Sequence, residues 1–197
     1  MKPILFNTEM VRALLEGRKT VTRRVVKPQP PATSVVRKRG CAWEWSFWAD
    51  CDMGHLMSPP CQPGDTLWVR ETWNGDWCNH YIYKADGGSA KAAGYAAEPK
   101  WHPSIHMPKE AARLFLRVTD VRVERLQALS HEDAEQEGCW CDEGGLAMPT
   151  DKFADLWDST LKPADRPLYG WDANPWVWVI EFERIGKDEA LGGGGDG

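Results

Sequence analysis

The chain has 197 residues, of which 42% are apolar and 27% charged, and its net charge is −5. This size and balance predict a folded protein with a hydrophobic core and exclude wholesale disorder. The longest strictly apolar run, at 176–180, is far too short to cross a bilayer. Because the first residues also lack an apolar signal stretch, we expect a cytoplasmic protein with reduced cysteines.

The charge is distributed unevenly along the chain. Residues 1–40 hold ten lysines and arginines and two glutamates, whereas residues 41–197 hold fourteen basic and twenty-seven acidic residues. A basic quarter on an acidic body favours a local anion site over a protein that coats nucleic acid along its whole length. Within this quarter, the run Arg37-Lys38-Arg39 is interpreted as part of a solvated loop.

The first half of the chain predicts short strands around one helix. Asn7 or Thr8 can cap this helix, and Gly17 ends it. The β-branched stretch that follows is typical of a strand, and a proline-rich loop comes after it. In chain order we predict a strand at 2–6, a helix at 8–17, a strand at 19–26, a loop at 27–40, strands at 43–47, 66–72 and 80–84, and a long loop at 85–108.

The second half predicts two strands and two helices. Apolar residues alternate from Leu114 to Val118 and then change parity at Val121, which predicts a bulge or a bend. Ser130 and Asp133 have the spacing of a capping box, and the helix that they open ends at Gly138. Another helix is predicted around 153–157, and a last strand at 176–182.

Together these elements predict an α+β protein, a small mixed β-barrel with flanking helices and long loop insertions. Residues 1–186 are expected to form a single domain. Residues 187–197 are expected to form a flexible Gly-rich tail.

The densest chemistry lies in residues 17–24, where four cations and two threonines join a helix end to a strand. Taken alone, this pattern is also typical of an edge strand with solvated charges. Gly17, Lys19, Thr22 and Arg24 match the signature G-x-K-x-x-T-x-R, and through it the chain resembles the ASCH domain family. Further segments resemble that family in the same order, at 62–69, 134–137 and 179–182. The overall layout, with segments 68–73 and 171–176, resembles the larger ASCH proteins of phages and prophages.

The resemblance implies a PUA-like barrel and a cofactor-free amidohydrolase acting on a modified pyrimidine nucleoside such as N4-acetylcytidine. It places the catalytic residues at Lys19, Thr22 and Glu137. Arg24 shares a strand face with Thr22 and is the better candidate for a substrate carbonyl or phosphate. The other candidate substrate-binding residues are Arg23, Thr20 and Glu71, of which Glu71 can equally form an ion pair beside Arg70.

Two mechanisms use the same three catalytic residues. In one, Thr22 is the nucleophile, Lys19 takes its proton because nearby cations lower the lysine pKa, and Glu137 shuttles protons. In the other, Glu137 activates water, charged Lys19 stabilises the oxyanion, and Thr22 orients the substrate. Either route requires Lys19 to sit in the bend after Gly17, since a regular strand would turn Lys19 and Thr22 to opposite faces.

Other functions stay open at this point. A PUA-like barrel can bind RNA or a modified base without catalysis, and some ASCH proteins are thought to be ribonucleases. The expected partner is therefore a modified nucleoside or RNA and not a membrane, while the oligomeric state is left open.

A zinc site at Cys41, Cys51, His55 and Cys61 is considered but not expected, because the C-x-x-C spacing is missing. Among the twelve tryptophans, Trp68, Trp176 and Trp178 are predicted to be core, and one or two of Trp43, Trp45, Trp48, Trp73 and Trp77 are candidates for stacking on a base.

Overall fold

The computed structural model describes residues 1–31, 33–40, 42–46, 54–75, 80–87, 100–140 and 147–192. The strands in these residues are β1 (Lys2–Leu5), β2 (Val21–Val25), β3 (Val35–Arg39), β4 (Ala42–Ser46), β5 (His55–Met57), β6 (Thr66–Arg70), β7 (Trp73–Gly75), β8 (Tyr81–Tyr83), β9 (Phe115–Arg125) and β10 (Trp176–Ile185). The α-helices are α1 (Thr8–Leu15), α2 (His131–Gln136), α3 (Pro149–Ser159), α4 (Arg166–Tyr169) and α5 (Lys187–Gly192).

The strands form three sheets, which together with the helices confirm the predicted α+β class. The largest sheet has the order β1-β6-β9-β10-β2. Its β1–β6 pair is parallel, whereas β6–β9 and β10–β2 are antiparallel. A second sheet has the order β3-β4-β5, and a third consists of β7 and β8. Closure into a PUA-like barrel stays a prediction.

The chain divides into two compact units. The first comprises residues 1–20, 64–119 and 182–197, and the second comprises residues 21–63 and 120–181. The boundaries fall within β9 and β10, so each of these strands contributes residues to both units. The assignment of residues 1–186 to a single domain stays a prediction.

In the first unit, one apolar cluster is built around Trp68, Ala112 and Phe115. Ile185 and Ala190 pack against it, and Ala190 belongs to α5. The predicted flexible tail therefore begins with a helix, which contacts this cluster through Ala190. Residues 193–197 lie outside the described part of the chain.

In the second unit, the core joins β2 and β10 to the helices α2 and α3. Its buried members are Val21, Leu126, Leu129, Ala134, Cys139, Phe153, Trp157, Val177 and Val179. The helix α2 opens with the predicted capping box, in which Ser130 and Asp133 bond reciprocally. The core therefore holds the start of α2 and the strand β2 in one packed cluster.

One predicted loop contains a strand. The trio Arg37-Lys38-Arg39 lies on β3, which pairs antiparallel with β4 around a turn at Gly40. Gly40 has φ +62°, a left-handed conformation that favours glycine. The prolines before β3 and the charges within it are typical of a loop, so the local sequence does not predict this strand. Pairing with β4, and not local apolar alternation, stabilises it. Among the described residues, no helix has the length and apolar character required to span a membrane.

Candidate functional site

The strand β2 carries polar side chains in a buried position. Thr22 is 1% exposed and Arg23 is 2% exposed, while Arg24 is half-buried. Because side chains alternate along a strand, Arg23 points to one face and Thr22 and Arg24 point to the other. Buried polar groups need hydrogen-bond or ionic partners, so each face of β2 must provide its own set.

On the first face, the Arg23 guanidinium lies among three carboxylates. Its Nη1 donates to Oε1 of Glu137 at 3.3 Å. Its Nη2 lies 3.6 Å from Asp133 and 3.7 Å from Glu124. Its Cζ lies 5.9 Å from the centre of the Phe153 ring. The structure thus gives Arg23 partners within the protein, and its predicted contact with substrate stays a prediction.

The position of Glu137 follows from the end of α2. Glu137 is the C-cap residue of the helix, and Gly138, with φ +96°, turns the chain after it. Residues three positions apart share a helix face, and Ala134 is a fully buried member of the core. The Glu137 side chain therefore faces inward and is 3% exposed. Although α2 is acidic, Glu137 is therefore a buried carboxylate and not a solvated one.

On the second face, Arg24 binds the threonine directly. Its Nη1 donates to Oγ1 of Thr22 at 2.7 Å and to the backbone oxygen of Arg23 at 2.8 Å. Burial lowers the pKa of Arg24, while the negative charge of Glu137 and the thiolate form of Cys61 oppose this shift. The Thr22 hydroxyl oxygen therefore accepts a charged hydrogen bond in a buried setting.

Glu137 acts on both faces of β2. Its carboxylate pairs with Arg23 on one face, and its charge also acts on Arg24, which points to the other. In the described part of the chain, β2 lies at the end of its sheet and pairs only with β10. Glu137 therefore contacts Arg23 directly and influences Arg24 through its charge.

Lys19 lies in the first unit, just before β2. Gly17 has φ +74°, and the backbone N–H of Lys19 donates to the oxygen of Ala13 at 3.1 Å, so the expected bend after the helix is present. The Lys19 side chain is 2% exposed, and its Nζ lies 5.4 Å from the centre of the Phe6 ring. Its approach to Thr22 stays a prediction.

Two further predicted substrate-binding residues, Thr20 and Glu71, also lie in the first unit. Thr20 is exposed, and its backbone oxygen accepts from the N–H of Phe182 at 2.9 Å. Glu71 is buried, and Arg113 donates to both of its oxygens at 2.9 Å. The ion-pair alternative for Glu71 is therefore observed, but the partner is Arg113 and not the adjacent Arg70.

The Glu71–Arg113 pair has a defined electrostatic setting. Burial raises the pKa of Glu71, and the hydrogen bonds and charge of Arg113 act against this shift. The Arg113 guanidinium also lies 3.9 Å from the centre of the Tyr83 ring. Burial raises the pKa of Tyr83 to about 12. The pair thus ties the end of β6 to the segment before β9, and Arg113 also contacts Tyr83 of β8. The predicted substrate-binding role of Glu71 stays a prediction.

The residues considered for zinc are only partly described. Cys41 and Cys51 lie outside the described residues, whereas His55 is exposed and Cys61 is buried. Within the described ranges, no three histidine, cysteine or acidic side chains are grouped as a metal site would require.

The tryptophans separate into core and half-buried sets. Trp68 and Trp178 are buried, as predicted, whereas Trp176 is half-buried beneath the Arg125 guanidinium at 4.4 Å. Trp48 and Trp77 lie outside the described residues. The half-buried candidates for stacking are Trp43, Trp45 and Trp73.

Sequence reasoning missed the residues that hold Arg23. Asp133 was identified only as a helix cap, and Glu124 was not singled out. Glu124 has one usable signal, because it follows Arg122 by two positions on β9 and so shares its strand face. Arg122 Nε lies 2.6 Å from Glu124 and also pairs with Glu181. An arginine and a glutamate two positions apart on a strand, here Arg122 and Glu124, therefore indicate the β9 side of the charged cluster around Arg23.

The comparisons with known proteins add a distant structural similarity. A scan against protein-family models found no match, and a search of curated proteins found none. A search of solved structures matched the chain to the crystal structure of protein EF3133 from Enterococcus faecalis V583, which is described by the family model DUF984. The sequences are 12% identical, the TM-score is 0.44, and the similarity covers 94% of this chain and 82% of that chain. A similarity at this level leaves the family of the chain unassigned.

Proposed function

We propose that this chain is an ASCH-type amidohydrolase with a PUA-like barrel that removes an acyl group from a modified pyrimidine nucleoside such as N4-acetylcytidine. One observation carries the proposal: the buried Thr22 hydroxyl accepts from Arg24, while the next residue, Arg23, fixes the Glu137 carboxylate. Buried polar side chains with specific charged partners are typical of acid–base sites. Lys19 enters the proposal from the sequence resemblance alone.

The contacts favour the route in which water is the nucleophile. Glu137 is the proton acceptor, and Arg23 fixes its position. The water oxygen forms a bond to the acyl carbon as its proton passes to Glu137. The carbon–nitrogen bond then breaks, and the proton moves on to the leaving N4 amine. The products are the free nucleoside and a carboxylic acid.

In this route Thr22 and Arg24 orient the substrate. The Arg24 N–H occupies a lone pair of the Thr22 oxygen, which leaves the hydroxyl hydrogen available to a substrate carbonyl. The charged guanidinium raises the polarity of that hydroxyl. Lys19, as an ammonium group, supplies charge for the oxyanion that develops on the acyl oxygen.

The test is a deacetylation assay with N4-acetylcytidine, followed by absorbance. We expect turnover by the native chain and a loss of roughly 100-fold or more in kcat for Glu137→Gln and Lys19→Ala. Glu135→Gln, on the same helix, is the matched control and retains activity. The absence of turnover on any N4-acyl pyrimidine nucleoside, or full activity of Glu137→Gln, would contradict the proposal.

The same assay separates the two routes. Under the water route, Thr22→Val raises KM more than it lowers kcat, and no acyl group accumulates on the protein. A trapped acetyl ester on Thr22, detected by mass spectrometry, would instead show that Thr22 is the nucleophile. Retention of labelled RNA without turnover would indicate a binding module, and shortening of RNA by extensively purified protein would indicate a ribonuclease.

A further inference from the structure

The sheet β3-β4-β5 in the second unit has one face that combines aromatic and basic side chains. In its register, Lys38 lies opposite Trp43 and Val36 opposite Trp45. Trp45 in turn lies opposite His55. Residues directly opposite in a ladder share a face. The face defined here as the aromatic face therefore consists of Val36, Lys38, Trp43, Trp45, His55 and Met57.

Two ring contacts organise the aromatic face. The rings of Trp45 and His55 stack with centroids 4.2 Å apart and planes inclined by 19°. The Lys38 Nζ lies 5.7 Å from the centre of the Trp43 ring. His55 and Lys38 are exposed, so solvent reaches one ring and one ammonium group on this face.

The opposite face of the sheet carries two arginines that share one carboxylate. Arg37 Nε donates to Oε1 of Glu44 at 2.7 Å, and Arg39 Nε lies 3.2 Å from the same oxygen. Glu44 is buried. Within the described part of the chain, Lys38 forms no such ion pair, so an exposed positive charge without a carboxylate partner lies on the aromatic face.

The aromatic face adjoins the Thr22 side of β2. Trp43 contacts Trp178 edge-on, with ring centroids 6.3 Å apart. Trp178 lies opposite Arg24 in the β10–β2 register, so it shares a face with Arg24 and Thr22. Within this one unit, a run of aromatic side chains therefore leads from His55 to the Thr22–Arg24 pair.

We propose that the aromatic face binds single-stranded RNA next to the base presented to Thr22 and Arg24. Single strands are bound by aromatic rings that stack on bases and by cations that meet phosphates. A base can continue the Trp45–His55 stack on the exposed side of the imidazole, and the Lys38 ammonium can meet a phosphate. The inference rests on the proposed function and names its substrate class: a modified base within an RNA strand, not a free nucleoside.

The test measures binding without catalysis. Fluorescence anisotropy follows a labelled ten-nucleotide oligouridylate, which contains no acyl group. We expect His55→Ala and Lys38→Gln each to weaken binding by roughly tenfold. The matched controls are His131→Ala and Lys162→Gln, both at exposed positions of the same unit, and we expect them to bind as the native chain does.

Salt dependence distinguishes the two roles. Lys38→Gln removes one phosphate contact, so the slope of log K against log salt concentration becomes shallower by about 0.7. His55→Ala removes a stacking contact and leaves the slope unchanged. Native chain that does not bind the oligouridylate, variants that bind as tightly as the controls, or tighter binding of the deoxyuridylate of equal length would each overturn the inference.

Failure of this inference can be told apart from failure of the proposed function. If the chain deacetylates free N4-acetylcytidine but does not bind the oligouridylate, only the proposed RNA-binding surface is refuted. If oligouridylate binding depends on His55 and Lys38 but the chain has no deacetylase activity, only the proposed hydrolytic function is refuted.

Discussion

Arg23 and Glu71 are both buried charged residues, but their partners differ in number. Glu71 has one arginine that meets both of its oxygens, whereas Arg23 shares one guanidinium among three carboxylates. A buried charge that loses its partner costs more than the pair itself contributes. We therefore expect the free energy of unfolding to respond differently to substitution of Arg23 and of Glu71.

Arg23→Met removes the buried cation that three carboxylates share, while Glu124 and Asp133 keep their contacts with Arg122. We expect the free energy of unfolding to fall by roughly 3–5 kcal/mol, measured by urea denaturation. Arg184→Met, at an exposed position, is the control and changes stability by less than about 0.5 kcal/mol.

The double variant Arg23→Met, Glu137→Gln tests the cause. Because the second change removes one of the buried carboxylate charges that face Arg23, we expect it to recover part of the lost stability. Equal stability of the single variant and the native chain, or further loss in the double variant, would show that the carboxylates do not depend on Arg23.

Tyr83 predicts a titration that can be observed directly. Its pKa is raised to about 12 from 10.0, mainly by burial, so the folded chain keeps the phenol neutral where the unfolded chain ionises it. The stability that this phenol contributes is complete below about pH 10 and is lost as the pH rises toward 12. Ultraviolet titration of tyrosinate should show a late step that disappears in Tyr83→Phe. The same late step in Tyr83→Phe would contradict the assignment.

Among the elements, α2 links local sequence to the candidate site. Its capping box fixes where the helix begins, and its length then places Glu137 at the C-cap with its side chain turned toward β2. Asp133 has two roles, since it takes part in the capping box of α2 and also lies near the Arg23 guanidinium. A change in the first turn of α2 should therefore alter the stability of the whole charged cluster.

Asp133 makes this stability depend on pH. Burial opposes the shift, but the hydrogen bonds from Ser130 and the charges of Arg23 and Arg122 hold the pKa of Asp133 below its usual value. Its contribution is present above the unfolded pKa near 3.8 and is lost as the pH falls through the lower folded value. In urea denaturation from pH 6 to pH 2, Asp133→Asn should lose less stability than the native chain. Glu132→Gln, at an exposed position of the same helix, is the control. The same loss of stability with falling pH in Asp133→Asn as in the native chain would refute the linkage.

For the whole molecule, the long strands are the elements common to both compact units. Leu116 on β9 belongs to the first unit and is fully buried, while residues 121–125 of the same strand belong to the second. Leu116→Ala should cost about 2–5 kcal/mol through lost burial and a cavity.

Because β9 is one continuous strand, we expect amide protection to fall in residues 121–125 as well as around Leu116. Hydrogen exchange checks this, and Leu168→Ala, at an exposed position, is the control. Loss of protection confined to the first unit would show that the units open independently.

The elements that the sequence predicted correctly are those with local signals. The helix α1 has a capping asparagine and a terminal glycine, and α2 has its capping box within four residues. Residues close in sequence therefore determine these helix boundaries. The alternating or β-branched stretches gave β2, β4, β6 and β10 and, with the helices, the α+β class. The change of parity in β9 also appears, since Leu116, Val118 and Val121 are all buried.

Tertiary structure decided what the local pattern does not encode. The strand β3 depends on its partner β4, the helix α5 depends on the apolar cluster beneath it, and Glu71 pairs with an arginine 42 positions away. Arg23 and Glu137 are 114 positions apart, and no periodicity relates them. Local signals act through neighbouring backbone groups, whereas the partner of a buried charge is chosen by which distant elements the core brings together.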